Sequence, residues 1–465
     1  MTIWTPRIQP NSRVKYVGIV EAIEADIKER LLKPGDKLPA QRYIADALNI
    51  DLTTVTRAIN EAAKRGLVET QPGSGCFVAQ TAFSHYNSMR LTAGKKLDLS
   101  MNNPPNPAEL ELEKEIALAL SSLNDKHSIP LKQLSYQETA GNPDDRAAGM
   151  AWLSDKIPDL QSDLVLIASG AHSALFSILS HLKKVGVKAI AAPDFSYPGL
   201  RSIADHLAID IYGIEMDQDG ILPEDLEHLC QKYHVDALYV VPNIDNPTTT
   251  TLPKKRRIEI VKIAKQYDLS IIEDDPYYSF LDKPITSFYR LLPENTWHIA
   301  TLSKCISPAL RVAYVVCPDT NEALALAEEM RVSNIMAPPL MTAVASYWIG
   351  SGRIVEIISA VKAENIKRQQ LVSSIFSEND IWSHPAGPHL WLKLSKGHRA
   401  LDFTEQAERS GVSVVPSTAF VMARSRIQAV RVSLGVATDY DSLRTGLILL
   451  SDLIITSRRR SKSIV

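Results

Sequence analysis

Thr301-Leu302-Ser303-Lys304 places a primary amine just past an apolar run, and Arg311 follows seven positions later. A lysine there can close an imine with an aldehyde, and Thr301, Ser303 and Arg311 are groups that hydrogen-bond a phosphate. Ile271-Ile272-Glu273-Asp274-Asp275-Pro276-Tyr277 ends a second apolar run. Asp274 can keep a pyridine nitrogen protonated, and Tyr277 can meet a ring hydroxyl. Asn246, in Pro242-Asn243-Ile244-Asp245-Asn246-Pro247-Thr248, can reach the same hydroxyl. Ser169-Gly170-Ala171-His172 reads as a strand-to-helix turn, and the N–H groups around Gly170 and Ala171 suit an anion. Tyr197 offers an aromatic face. An aldehyde, a protonated pyridine, a ring hydroxyl and a phosphate are together what pyridoxal 5'-phosphate presents. Singly, each feature has a plainer explanation: a lysine after a strand is usually a surface lysine, and Asp-Asp-Pro-Tyr is usually a turn. Their number and order carry the inference.

These side chains need a scaffold that brings strand ends together. Apolar runs at 164–168, 187–192, 237–242, 269–273, 297–302 and 312–317 are mostly continuous, as in strands buried on both faces. Helical stretches lie between several of them. The fold class is therefore α/β with a mostly parallel sheet, whose ligands bind at the carboxyl ends of the strands. A smaller α+β part follows, with a helix at 354–376, strands at 390–394, 412–415 and 430–433, and a closing helix.

The front reads differently. Val17, Val20, Ile23, Ile27 and Leu31 recur at helical spacing over 14–32. Helices are also expected at 41–48 and 53–65, the last ended by Gly66, and a hairpin at 67–78 with a glycine tip at Gly73 and Gly75. Three helices and a hairpin make a winged helix-turn-helix, whose third helix enters a major groove. Its candidate DNA contacts are Thr53, Thr54, Thr56 and Arg57, with Arg42 on a phosphate and Gly75 letting the hairpin tip approach closely. The domains are thus 1–80 (reader), 81–96 (linker) and 97–465, the last split near 349/350 into a large and a small part.

The stretches Gly35-Asp36-Lys37-Leu38-Pro39-Ala40-Gln41-Arg42, Thr53-Thr54-Val55-Thr56-Arg57-Ala58 and Gly73-Ser74-Gly75-Cys76-Phe77-Val78 resemble the GntR family of bacterial winged-helix regulators. One departure is Asp51-Leu52, where that family usually has Ser/Thr-Arg. Residues 97–450 resemble the fold-type I aminotransferases, including the 28-residue step from Asn246 to Asp274. The family usually has glycine where Thr249 stands. This second resemblance implies two further roles. Arg431 would grip a substrate or effector carboxylate, and Tyr136 would reach the phosphate of a neighbouring subunit in a homodimer. A reader of the first kind fused to a body of the second resembles the MocR subfamily. That implies a regulator of double-stranded operator DNA that senses pyridoxal phosphate, or an amine or amino acid, through an imine at Lys304. The rival reading is a working aminotransferase in which Lys304 is the catalytic base.

Composition sets the outer bounds. The chain has 465 residues with 51 Lys+Arg against 53 Asp+Glu, so the whole molecule has no strong pull on nucleic acid. Residues 1–80 carry a balance of +2. Cys76, Cys230, Cys305 and Cys317 lack metal-site spacing and are expected to be reduced thiols, with no metal site. No apolar run reaches membrane-spanning length, and a cytoplasmic location is expected.

Overall fold

The computed structural model describes residues 4–6, 15–28, 31–33, 35–64, 67–71, 74–79, 96–124, 135–395, 397–422 and 427–462. Gly66, Gly73 and the linker before Lys96 lie outside them. The chain divides into two compact units, one of 1–97 with 405–413 and 441–465, the other of 98–404 with 414–440.

In the first unit, α1 (Lys15–Lys28), α2 (Gln41–Leu48) and α3 (Leu52–Lys64) precede a hairpin of β1 (Val68–Gln71) and β2 (Gly75–Val78). Ile19, Val20, Ile23 and Ile27 of α1 meet Ile44 of α2, Val55 and Ile59 of α3, and Val68 and Val78 of the hairpin. Each such side chain contributes about 1.5–3 kcal/mol by leaving water. Leu31, expected on this inward face, is 56% exposed. The reason is local: α1 stops at Lys28, the Leu31 N–H turns back to the Asp26 carbonyl at 2.9 Å, and Leu32 takes the buried place. Asn49 ends α2 in the left-handed conformation. The hairpin also gains a neighbour. Gly35 and Leu38 donate to the Val78 and Cys76 carbonyls, so residues 35–38 run beside β2.

The second unit holds a seven-stranded sheet of β3 (Val165–Ala168), β4 (Ala189–Pro193), β5 (Asp210–Ile214), β6 (Ala237–Val240), β7 (Ser270–Asp274), β8 (Thr296–Thr301) and β9 (Ala313–Val316). Their order is β3-β9-β8-β7-β6-β4-β5. Only β9 runs antiparallel to its neighbours. Side chains alternate between two cores, as the pleat requires. Leu166, Tyr239, Ile272 and Val315 lie in one, with helices α4 (Ala171–Lys184) and α5 (Pro198–Leu207). Val165, Ile167, Tyr314 and Val316 lie in another, packed with α6 (Pro339–Gly350) and α7 (Arg353–Ile375). Strand β5 leaves no mark in the apolar pattern, because an edge strand with Asp210 exposed and Ile211 to Gly213 half-exposed shows no continuous apolar run.

Helix α7 leads to an antiparallel sheet of β10 (Ile381–Ser383), β11 (His389–Lys393), β12 (Val415–Pro416) and β13 (Ala429–Ser433), in the order β10-β11-β13-β12. The expected strand at 412–415 is divided, and only Val415–Pro416 joins this sheet. An arm at 99–104 passes the end of β13, where Ser433 donates to the Leu99 carbonyl at 2.8 Å. A Cβ on Gly435 would collide with the Asn103 carbonyl oxygen, so glycine is what admits the arm there. Among the described residues no helix is long and apolar enough to cross a membrane, and no cluster of His, Cys, Asp or Glu could hold a metal ion.

Candidate functional site

Strand β7 ends in three consecutive carboxylates that fare differently. Glu273 is paired with His298 at 3.0 Å and accepts the Phe288 and Tyr289 N–H groups, so it is a fully used structural anchor. Asp275 forms a buried ion pair with Lys156. Asp274 accepts the Tyr239 hydroxyl on Oδ2 at 2.8 Å, while its buried Oδ1 has no partner among the described residues. Burial pushes the Asp274 carboxyl up to about 6; the Tyr239 bond pulls it back and the Asp275 charge adds to the rise. A buried carboxylate oxygen without a donor costs about 1–3 kcal/mol or more. An N–H cation removes that cost, which is what a protonated pyridine nitrogen provides.

Lys304 stands three residues past β8, half-buried. Its Nζ donates to the Asn102 carbonyl at 2.8 Å. Burial, then the Arg431 charge, pulls its amine down to about 8, with Asp274 opposing. The Tyr277 hydroxyl is buried and accepts from Asn102 Nδ2 at 2.8 Å; burial raises it well above the usual phenol range. Asn246 Oδ1 accepts from Arg431 Nη1 at 2.9 Å. Arg431 also donates from Nη2 to the Ser100 carbonyl, lies over the Phe420 ring at 5.0 Å, and leaves Nε without a partner. Burial pulls its guanidinium down to about 10. His389 lies 3.5 Å from Asn102, and burial followed by Arg431 pushes it down to about 3, so it stays neutral.

A second cluster offers donors that could hold an anion. Gly170 opens α4 at φ 91° and no side chain caps the helix, so no capping group competes for its first N–H groups. A Cβ on Gly170 would come within 3.0 Å of the Arg311 guanidinium, which donates to the Ser169 carbonyl at 3.1 Å. Ala171 follows as the first helical residue. Ser303 N–H donates to Thr301 Oγ1, which in turn reaches Ser303 Oγ and the Val312 carbonyl. Thr301 is thus buried and largely satisfied inside the loop. The Tyr197 hydroxyl lies 3.2 Å from His172 Nδ1, their rings edge to face. Burial raises Tyr197, with Asp274 adding and Arg311 opposing, so both clusters act on this one ring. Tyr136 is 82% exposed. Its neighbour Gln137 donates to Met336 Sδ, and the Met336 carbonyl takes the Ser169 hydroxyl, which ties this segment to the anion cluster.

The structure therefore gathers Lys304, Tyr277, Asn246 and Arg431 around the arm, and Gly170 and Arg311 at the helix start. The sequence did not single out Ser100, Asn102, Tyr239, His172 or His389. Ser100 acts through a backbone carbonyl, and Tyr239 is hidden inside an apolar run.

In the reader, Arg42, Thr53 and Arg57 are exposed, while Thr54 and Thr56 are half-buried. Thr56 Oγ1 directs its one O–H to Gln41 and the Leu52 carbonyl, which leaves its lone pairs to accept. Arg57 lies over the Tyr16 ring at 4.5 Å. Gly75 has φ 123° and faces Lys37, which also lies over the Phe77 ring at 5.8 Å. Lys37 is a tip cation that the sequence did not single out.

Residues 15–78 match the model of the bacterial regulatory proteins of the gntR family, and residues 94–443 that of the aminotransferases of class I and II. The HTH-type transcriptional regulator YdeF of Bacillus subtilis is 29% identical over 452 residues, 97% of this chain and 96% of its own length. The HTH-type pyridoxine biosynthesis transcriptional regulator PdxR of Corynebacterium glutamicum is 24% identical over 66% of this chain and 67% of its own. A kynurenine aminotransferase of Pyrococcus horikoshii, solved with PMP, superposes with a TM-score of 0.71 at 20% identity, over 79% of this chain and 93% of that one. LysN, the α-aminoadipate aminotransferase of Thermus thermophilus, gives 0.69 at 21%, over 79% and 94%. At such identities the structural likeness establishes the fold.

Proposed function

We propose that this chain, which belongs to the class I and II aminotransferase family and carries a gntR-family reader in the MocR arrangement, binds pyridoxal 5'-phosphate and regulates transcription in response to it, or to an amine or amino acid that reacts with it. The observation that carries the reading is the unpartnered, buried Oδ1 of Asp274 on the strand next to the one that leads to Lys304.

The residues fit the cofactor. Asp274 would hold the pyridine N–H, and Tyr277 and Asn246 the ring hydroxyl. The N–H groups at Gly170 and Ala171, with Ser303, Thr301 and Arg311, would hold the phosphate. Tyr197 would flank the ring, and Tyr136 would reach the phosphate of a second copy in a homodimer. When bound, the cofactor supplies an aldehyde that takes up amines and a ring that withdraws electrons from the attached carbon.

The arm offers the route outward. Lys304 holds the Asn102 carbonyl, and Arg431 holds the Ser100 carbonyl. An amino acid carboxylate competes with Ser100 for Arg431, and commitment of the Lys304 amine removes its bond to Asn102. Both losses fall on 99–104, which continues in sequence into the linker that carries the reader. An effector that favours one state of the arm shifts operator affinity by that preference and no more. Arg42, Thr53, Thr54, Thr56, Arg57 and Gly75 are the proposed DNA contacts.

A gel shift on the DNA upstream of the chain's own gene, with and without pyridoxal phosphate, tests the reading. A specific shift that changes with the cofactor is expected; an identical shift in both states removes the sensing role. The second reading, an active aminotransferase, is favoured by the Lys304 amine, which burial lowers to about 8, so that a fraction of it is neutral near pH 7.5 and able to move a proton at the substrate Cα. Turnover of an amino acid with a 2-oxo acid at about 1–10³ per second would establish it.

A further inference from the structure

The end of β7 serves two faces of the sheet. Asp274 turns toward Tyr239, in the core shared with α4. Asp275 turns the other way and lines a separate cavity of about 290 Å³. Its walls include Trp152, Cys305 and Ile358, all outside the cofactor cradle. The cavity has a polar floor. Lys156 Nζ is paired with Asp275 Oδ2 and lies 4.4 Å over the Tyr278 ring, and Asn243 donates to the same Oδ2 at 2.7 Å. Asp275 Oδ1 is buried and has no partner among the described residues. Asp155 adds a second carboxylate at the wall, so the charged lining is negative by one.

A buried ion pair contributes little net stability, because desolvation offsets the attraction. Its presence at the floor of a cavity with partly apolar walls, with one carboxylate oxygen unused, asks for another explanation. We propose that this cavity is a second small-molecule site, for an organic ammonium ion with an apolar body. The N–H of the ligand would meet Asp275 Oδ1, its charge would be balanced by Asp155, and the Trp152 ring suits a cation and its hydrocarbon, the Tyr278 face being taken by Lys156. The volume is close to the lower end of ordinary ligand pockets, which limits the ligand to roughly amino-acid size. The site stands whether or not the cofactor reading does, since it shares no proposed cofactor contact except the buried Thr301.

The probe is N,N-dimethylbenzylamine, a tertiary amine that carries one N–H when charged and cannot form an imine with an aldehyde. Titration calorimetry of the full chain is expected to show one saturable site. Ser359→Trp, which places a ring at the cavity mouth, should weaken it at least about tenfold, and Asp155→Asn by a few fold. Both positions are exposed, so the fold is kept, as circular dichroism will verify. Benzoate, an aromatic anion, should not bind. No saturable heat, an affinity unchanged by Ser359→Trp, or equally tight benzoate binding would each overturn the proposal.

Discussion

The reader and the cofactor cradle both carry polar side chains, but under opposite constraints. On the reader, Arg42 and Thr53 point into water, and lacking a protein partner costs them nothing. In the cradle, Asp274, Tyr277 and Arg431 are buried, so each polar atom must find a partner or lose several hydrogen bonds' worth of solvation. An unused atom is therefore informative in the second region and silent in the first. Oδ1 of Asp274 lacks a donor and so calls for one of definite chemistry, whereas the exposed face of α3 asks for none in particular.

The sharpest way to break this contrast is at Lys304. Lys304→Ala should abolish the visible absorption band that pyridoxal phosphate gives on joining a protein lysine. A band that survives would move the amine to another residue and leave the cradle without its central group.

Asp274→Asn tests the buried-atom argument directly. Its carboxyl is raised from 3.8 to about 6, so the folded state binds that proton more tightly than the unfolded chain. Ionising it costs stability, and the cost grows as pH rises from about 4 to 6. In the cofactor-free protein, Asp274→Asn should therefore stabilise by about 2–3 kcal/mol at pH 7.5 and by almost nothing at pH 4. With cofactor bound the sign should invert, because asparagine cannot balance a protonated ring. Urea melts at the two pH values, with and without cofactor, give all four numbers. A substitution that is destabilising in the cofactor-free protein at both pH values would mean that Oδ1 is not strained.

Arg431→Ala separates two jobs in the same cradle. Cofactor affinity should hold, while the DNA-binding response to amino acids weakens about tenfold or more, the worth of a charge-assisted contact. Responses to amines lacking a carboxylate should remain. Gel shifts with paired amine and amino acid effectors measure the split, and a full amino acid response in the variant would remove the carboxylate role.

Much of this was legible in the sequence because strand ends are. Lys304, Asp274 and Gly170 each follow a continuous apolar run, so their place at one edge of a parallel sheet follows from the pattern. Tyr239 was not legible, since Ala237-Leu238-Tyr239-Val240 reads as core and gives no sign that its hydroxyl serves Asp274. Ser100 acts through a carbonyl oxygen, and Asn102 partly so, a group every residue has. Lys37 lies 38 positions before Gly75, and only the pairing of 35–38 with β2 brings it to the hairpin tip. Leu31 fits the helical period but falls beyond the end of α1.

The smallest expected effect lies on the reader. Arg42 is exposed at the start of α2, and its guanidinium suits a phosphate oxygen rather than a base edge. Arg42→Ala should weaken binding by about 1 kcal/mol on every DNA sequence alike and lower the slope of log affinity against log salt by about 1. Thr53→Ala is the comparison. If Thr53 meets a base edge, its loss falls on the operator and spares unrelated DNA. Fluorescence anisotropy on operator and scrambled duplexes, each at several salt concentrations, reads both effects. A sequence-dependent loss in Arg42→Ala would give that arginine a base contact. The exposed face of α2 would then share the reading of sequence with α3, and the division of labour within the reader would have to be redrawn.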